Sequence, residues 1–165
     1  MYKNEFDNLY DMLEKTKLKK RSQKNGNNRR GFDDYYGGLY GMTKRRYRSG
    51  GKQLSLDSKN QPKVYDEIFR IGRLICKIPF STVQLNKNLQ CKPHRDNHNT
   101  GGLGSTLISF GDFEGGEIAI QRDENSTEFD IFSAKYQPIQ FLGEKLTHYN
   151  LPHTGTKYSL VFFNC

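Results

Sequence analysis

Apolar residues recur at helical spacing near the start of the chain, at Tyr2, Phe6, Leu9, Tyr10 and Leu13. That spacing predicts an amphipathic helix over residues 2 to about 18. Pro62 suits a first helical turn, and Val64, Ile68, Ile71, Leu74 and Ile75 follow it on one face. They predict a second helix over roughly 62–76, with its charged residues on the other side. From residue 80 onward the pattern changes to short β-type runs, at 82–86, 106–110, 117–120, 129–132, 138–142 and 158–163. Many short strands with Gly-rich turns predict a sandwich or barrel. Two helices packed on one face make the expected class α+β, in a single domain over 1–165. Residues 1–79 form its helical and basic part and 80–165 its β core.

Two stretches fit neither period. Residues 19–31 are basic and Asn-rich with almost no apolar positions, which reads as a loop, either contacting phosphates or serving as a solvated linker. Residues 32–51 set Phe32, Tyr35, Tyr36, Tyr40 and Tyr47 among glycines and basic residues. Aromatics interleaved with Lys and Arg suit a nucleic-acid groove, where bases stack and phosphates pair. Small β-rich domains bury aromatics in the same way, and Tyr35, Tyr36 and Tyr40 are expected in the core.

Composition sharpens the choice of partner. Lys and Arg number 26 against 18 Asp and Glu, a formal charge of +8, which fits an anionic partner such as nucleic acid. Much of the excess lies before residue 50, including Arg45, Arg46 and Arg48. No run of about 18 apolar residues exists to span a membrane, and no leader peptide is expected. Cys76, Cys91 and Cys165 are odd in number and lack CxxC spacing, so reduced thiols in an intracellular compartment, cytoplasm or nucleus, are expected.

The four histidines fall in two segments, 94–98 and 148–153. His94 and Asp96 are two apart, so an extended backbone points both the same way, toward one ion. A third ligand must come from His148 or His153. Two histidines and one carboxylate make the facial triad of non-haem Fe(II) oxygenases, which leaves open positions for 2-oxoglutarate and O₂. Such a site also needs a cation for the cosubstrate's distal carboxylate. Lys157 is that residue, with Ser159 its same-face neighbour. His148 lies nine residues before Lys157, room for a turn between strands, and is the expected ligand. His153, beside Pro152 and Gly155, is expected in the turn or behind a ligand.

The string His94-Arg95-Asp96-Asn97-His98-Asn99, followed by Gly104-Ser105-Thr106 and ending with Tyr158-Ser159-Leu160-Val161-Phe162, resembles the TET/JBP group of 2-oxoglutarate/Fe(II) dioxygenases. The resemblance covers about residues 80–165. It implies a double-stranded β-helix, a jelly-roll or cupin-like core supported by the two helices. It implies iron held by His94, Asp96 and His148, and 2-oxoglutarate held by Lys157 and Ser159 where the family has Arg-x-Ser. It implies Asn99 facing a flipped base, and oxidation of the methyl group of 5-methylcytosine or thymine in nucleic acid; ascorbate is a candidate reductant. The basic segments, Arg45 and Arg46 among them, would then grip the strand. Related catalytic domains hydroxylate prolyl or other protein side chains, so a peptide or a small molecule is the alternative substrate.

Overall fold

The computed structural model describes residues 2–21, 35–44, 51–96 and 102–165. Helix α1 (Lys3–Glu14) buries Phe6, Leu9 and Leu13. It ends sooner than expected, where Thr16 Oγ1 donates to the Met12 carbonyl at 2.6 Å. The chain then forms β1 (Lys19–Arg21), which pairs antiparallel with the start of β2 (Tyr35–Lys44). The first residues of the expected loop are therefore an edge strand. Strand β3 (Lys52–Leu54) pairs with the far end of β2. A five-residue helix, α2 (Leu56–Asn60), follows, capped by Ser55, whose Oγ accepts from the Ser58 amide. Helix α3 (Pro62–Ile75) begins on its proline and buries Val64, Ile68, Ile71 and Ile75, while Leu74 is exposed.

The remaining strands are β4 (Thr82–Lys87), β5 (Ser105–Gly115), β6 (Ile118–Gln121), β7 (Phe129–Phe132), β8 (Ile139–Phe141), β9 (His148–Asn150) and β10 (His153–Phe163). The main sheet runs β1-β2-β4-β10-β5-β8, with β3 attached to β2, and the smaller sheet runs β7-β6-β9. Their pairings are antiparallel, and the two sheets make a double-stranded β-helix. Residue 80 does not divide helical from β structure, because β1, β2 and β3 all belong to the main sheet. Among the described residues three helices stand where two were expected.

Strand β10 lies at the centre, between β4 and β5, and has two faces. Tyr158, Leu160 and Phe162 are fully buried in the larger core with Phe6, Leu9, Ile68, Ile71, Leu85 and Ile108. Each such side chain contributes roughly 1.5–3 kcal/mol, which makes this layer the main source of stability. Tyr35 and Tyr40 are buried as expected, but Tyr36 is 43% exposed. The opposite face of the sheet meets a smaller cluster of Leu107, Ile118, Ile120 and Ala134. That cluster fills only part of the space between the sheets, and a cavity of about 400 Å³ occupies the rest.

Candidate metal centre

His94 and His148 face each other across an isolated antiparallel bridge. The His94 amide donates to the His148 carbonyl at 3.1 Å, and the His148 amide returns the bond at 3.0 Å. Residues directly opposed in this way carry their side chains on one face, and the two imidazole centroids stand 4.3 Å apart. Phe141 packs its edge on His148, with centroids 4.9 Å apart.

Each ring also has a fixed tautomer. His94 Nδ1 donates to the Lys92 carbonyl at 2.6 Å, and His148 Nδ1 to the Leu146 carbonyl at 2.9 Å. A carbonyl only accepts, so the proton sits on Nδ1 and the Nε2 lone pair is left for a ligand. Asp96 lies between them, with Oδ1 3.4 Å from His94 Nε2 and Oδ2 3.6 Å from His148 Nε2. Burial raises the pKa of the Asp96 carboxyl, but the neighbouring His148 and His94 outweigh it and hold the group well below the usual carboxylate range, so it is ionised as a metal ligand must be.

Among the described residues, these three are the group of His, Cys, Asp and Glu side chains close enough to hold a metal, with donor atoms all within 4.8 Å of one another. Two imidazoles and one carboxylate fit Fe(II) in type and number. His153 is not in the group. It opens β10 opposite Gly115, so it stands in a strand and not in the turn.

Two features absent from the sequence reading position Asp96. Its amide donates to the Gly143 carbonyl at 2.9 Å. A Cβ on Gly143 would lie 2.3 Å from Asp96 Oδ2, so the carboxylate uses space that only glycine leaves. A lone glycine between β8 and β9 carries no such signal in one sequence.

The cavity is walled by His94, Asp96 and His148, by the polar Gln84, Asn86 and Ser159, and by the apolar Leu107, Ile118, Phe141 and Val161. Asn86 Nδ2 donates to Ser159 Oγ at 3.5 Å, and Gln84 Nε2 to Asn86 Oδ1 at 3.1 Å, a polar strip across two strands. Among the described residues, Arg21, Lys44 and Arg95 also line it, against one side-chain carboxylate, Asp96.

Lys157 shares the β10 face of Ser159 and Val161 but lies beyond the cavity wall, 4% exposed, with Nζ donating to the Gly116 carbonyl at 3.0 Å. Burial lowers its pKa, and Cys91 and Glu117 partly oppose that. Asn88, at φ 57°, pins this part of β10: its Oδ1 accepts from the Lys157 amide at 2.9 Å and its own amide donates to the Lys157 carbonyl at 2.7 Å. The remaining expected contacts, Asn99, Arg45 and Arg46, lie outside the described residues.

No protein-family model matches the sequence, and no curated protein matches it. Solved structures do. NgTET1 in complex with 5mC DNA is similar at TM-score 0.50 and 16% identity over 78% of this chain. The chain spans 60% of that protein's length. An oxidoreductase of the 2OG-Fe(II) oxygenase family from Burkholderia pseudomallei is similar at TM-score 0.56 and 18% identity, over 93% of this chain and 76% of its own. A Pseudomonas putida prolyl-4-hydroxylase is similar at TM-score 0.53 and 11% identity, over 100% of this chain and 89% of its own. At these identities the likeness establishes the fold alone: a double-stranded β-helix, as in these three proteins.

Proposed function

We propose that the protein is an Fe(II)- and 2-oxoglutarate-dependent dioxygenase acting on the methyl group of a 5-methylpyrimidine in nucleic acid. The observation that carries the reaction class is the meeting of two Nε2 lone pairs and one carboxylate on the wall of a 400 Å³ cavity. His94, Asp96 and His148 would hold the iron, and Lys157 and Ser159 the distal carboxylate of 2-oxoglutarate. Bound there, iron and 2-oxoglutarate supply the oxidising chemistry with O₂, and ascorbate serves as reductant. The chain's own part is to bind, orient and exclude water. Its Nδ1 hydrogen bonds hold both imidazoles in the ligating tautomer. Leu107, Ile118, Phe141 and Val161 keep the cavity wall dry.

The nucleic-acid substrate is supported by charge. Among the described residues, three of the cavity's four ionic side chains other than histidine are cations, and Arg45 and Arg46 follow Lys44 directly in the chain. A base in a duplex must be flipped out to reach such a site, which costs a few kcal/mol and least in single strands. Phosphate contacts by Arg21, Lys44, Arg45 and Arg46 offset that cost, and Asn99 reads the base edge. The alternative is a peptide, because a prolyl-4-hydroxylase has a similar fold. Methylated oligonucleotides and peptides, each incubated with Fe(II), 2-oxoglutarate and ascorbate and read by mass spectrometry, separate the two. Product from peptides alone would overturn the nucleic-acid reading.

A further inference from the structure

Two basic side chains meet at the end of β10, outside the metal group. His153 and Lys157 have the same parity on a strand that pairs with β5 without interruption, so both project to the cavity-side face that carries Ser159 and Val161. Between them on that face stands Gly155, at φ +87°, where a Cβ would lie 2.3 Å from the Asp112 carbonyl oxygen. Along the strand, therefore, β10 itself places no side chain between the two. Lys157 leans back toward His153: the Cβ position of Gly116 lies 3.1 Å from Lys157 Nζ and 3.2 Å from His153 Cβ.

Both groups have unused hydrogen-bonding capacity. His153 Nδ1 is shielded from solvent and has no partner among the described residues. Lys157 Nζ carries three protons, and its partner among the described residues is the Gly116 carbonyl. A shielded polar atom without a partner costs the full desolvation of that atom, so such atoms call for an explanation. We infer that His153 completes, with Lys157, the seat for the distal carboxylate of a 2-oxo diacid, its Nδ1–H donating to one oxygen while the ammonium takes the other. The inference rests on the dioxygenase reading and deepens it: His153 becomes a residue that selects a dicarboxylate cosubstrate over a monocarboxylate.

Electrostatics agree with this placement. Burial first, and Lys157 second, lower the His153 pKa, while burial lowers that of Lys157. Each group is pushed toward its uncharged form, and an anion between them would relieve both. A neutral imidazole with its proton on Nδ1 is still a donor, so the seat needs no protonated histidine.

The test uses the full chain loaded with Mn(II) in the absence of O₂, and calorimetric titration with two ligands of equal length, 2-oxoglutarate and 2-oxopentanoate, which lacks the distal carboxylate. His153→Ala is expected to weaken 2-oxoglutarate binding about tenfold or more, as for a lost hydrogen bond to a charged group, and to leave 2-oxopentanoate unchanged. His153→Asn keeps a donor at the Nδ1 position and is expected to restore 2-oxoglutarate binding. His153→Gln, whose amide reaches only the Nε2 position, is not. Equal weakening of both acids, unchanged 2-oxoglutarate affinity in His153→Ala, or rescue by Gln and not Asn would overturn the inference. A wild-type protein that binds neither acid would overturn the dioxygenase reading itself, a distinct result.

Discussion

Replacing Gly143 by alanine adds one carbon at the most crowded point of the metal group. The new Cβ would stand 2.3 Å from Asp96 Oδ2 and 3.3 Å from its Cγ. Ordinary contact between such atoms begins near 3.5 Å, so the carboxylate must retreat by about 1 Å. Metal–ligand distances hold to within about 0.2 Å, so a shift of that size removes Asp96 from a shared coordination sphere. Gly143 has no left-handed φ, so its backbone suits alanine and the effect lies in its contacts, which include Phe141 Cε2 at 3.1 Å. Perturbing the surroundings of a ligand in this way typically costs about 10–100-fold in metal affinity, or roughly 1.4–2.7 kcal/mol. The assay is Co(II) titration of wild type, Gly143→Ala, Asp96→Ala and the double variant, followed by calorimetry and the visible spectrum, with melting temperatures as a check of folding. Gly143→Ala is expected to bind Co(II) weakly, and any loss of melting temperature it causes in the wild-type background should shrink in Asp96→Ala, since the oxygen it strikes is then gone. Gly143→Ala with wild-type affinity, or an equal loss of melting temperature in both backgrounds, would refute the reasoning.

Other consequences are as direct. His94→Ala, Asp96→Ala and His148→Ala should each abolish tight Co(II) binding in a folded protein, whereas His153→Ala should retain it; the reverse pattern for the two later histidines would move the ligand. Because burial holds the Lys157 pKa below the ordinary lysine value, 2-oxoglutarate affinity should fall as pH rises through that lowered value, before free lysine titrates; Lys157→Ala should bind the diacid weakly at every pH, and a flat wild-type profile up to the ordinary lysine range sinks the idea. The same depression makes Lys157 a stability cost below its folded pKa, where the unfolded chain holds the proton more readily, and the cost fades as pH rises toward about 10.4. Lys157→Met should therefore lose this cost at pH 7 and gain least at alkaline pH, set against the donor it removes from the Gly116 carbonyl; a melting-temperature difference from wild type that does not change with pH would refute this. Paired Arg21→Glu and Lys44→Glu substitutions should weaken oligonucleotide binding and flatten its dependence on salt by about one unit of slope per lost phosphate contact, with Co(II) affinity unchanged; an unaltered slope would remove both residues from the interface.

The nearness of His94 to Asp96 was legible because it is local: two residues on extended backbone need only the alternation of a strand. His148 required a long-range judgement, made from its distance to Lys157, and β9, which carries it, is too short to leave a periodic signal. The larger core was readable from the stripes of α1, α3 and the apolar runs of β4, β5 and β10. Strand β2 was not, since Gly37, Gly38 and Gly41 argue against a strand interior. Those glycines reflect pairing that a single sequence does not display: a Cβ on Gly37 would lie 2.2 Å from the Leu85 carbonyl oxygen on the neighbouring β4. Gly143, Asn86 and Asn88 escaped for the same reason, because their roles exist only once distant segments are adjacent.

Strand β10 has a consequence for how such a protein changes over time. Its even positions, Tyr158, Leu160 and Phe162, hold the helices to the sheet, while its odd positions, Ser159, Val161 and Phe163, face the cavity. One ribbon thus carries two separate texts, interleaved residue by residue. Substitutions at odd positions can retune what the cavity admits while the packing code beneath stays untouched. A slip of one residue in pairing would exchange the two, sending Tyr158 into the cavity and Lys157 into the core. Selection for folding therefore also guards the registration of the chemistry.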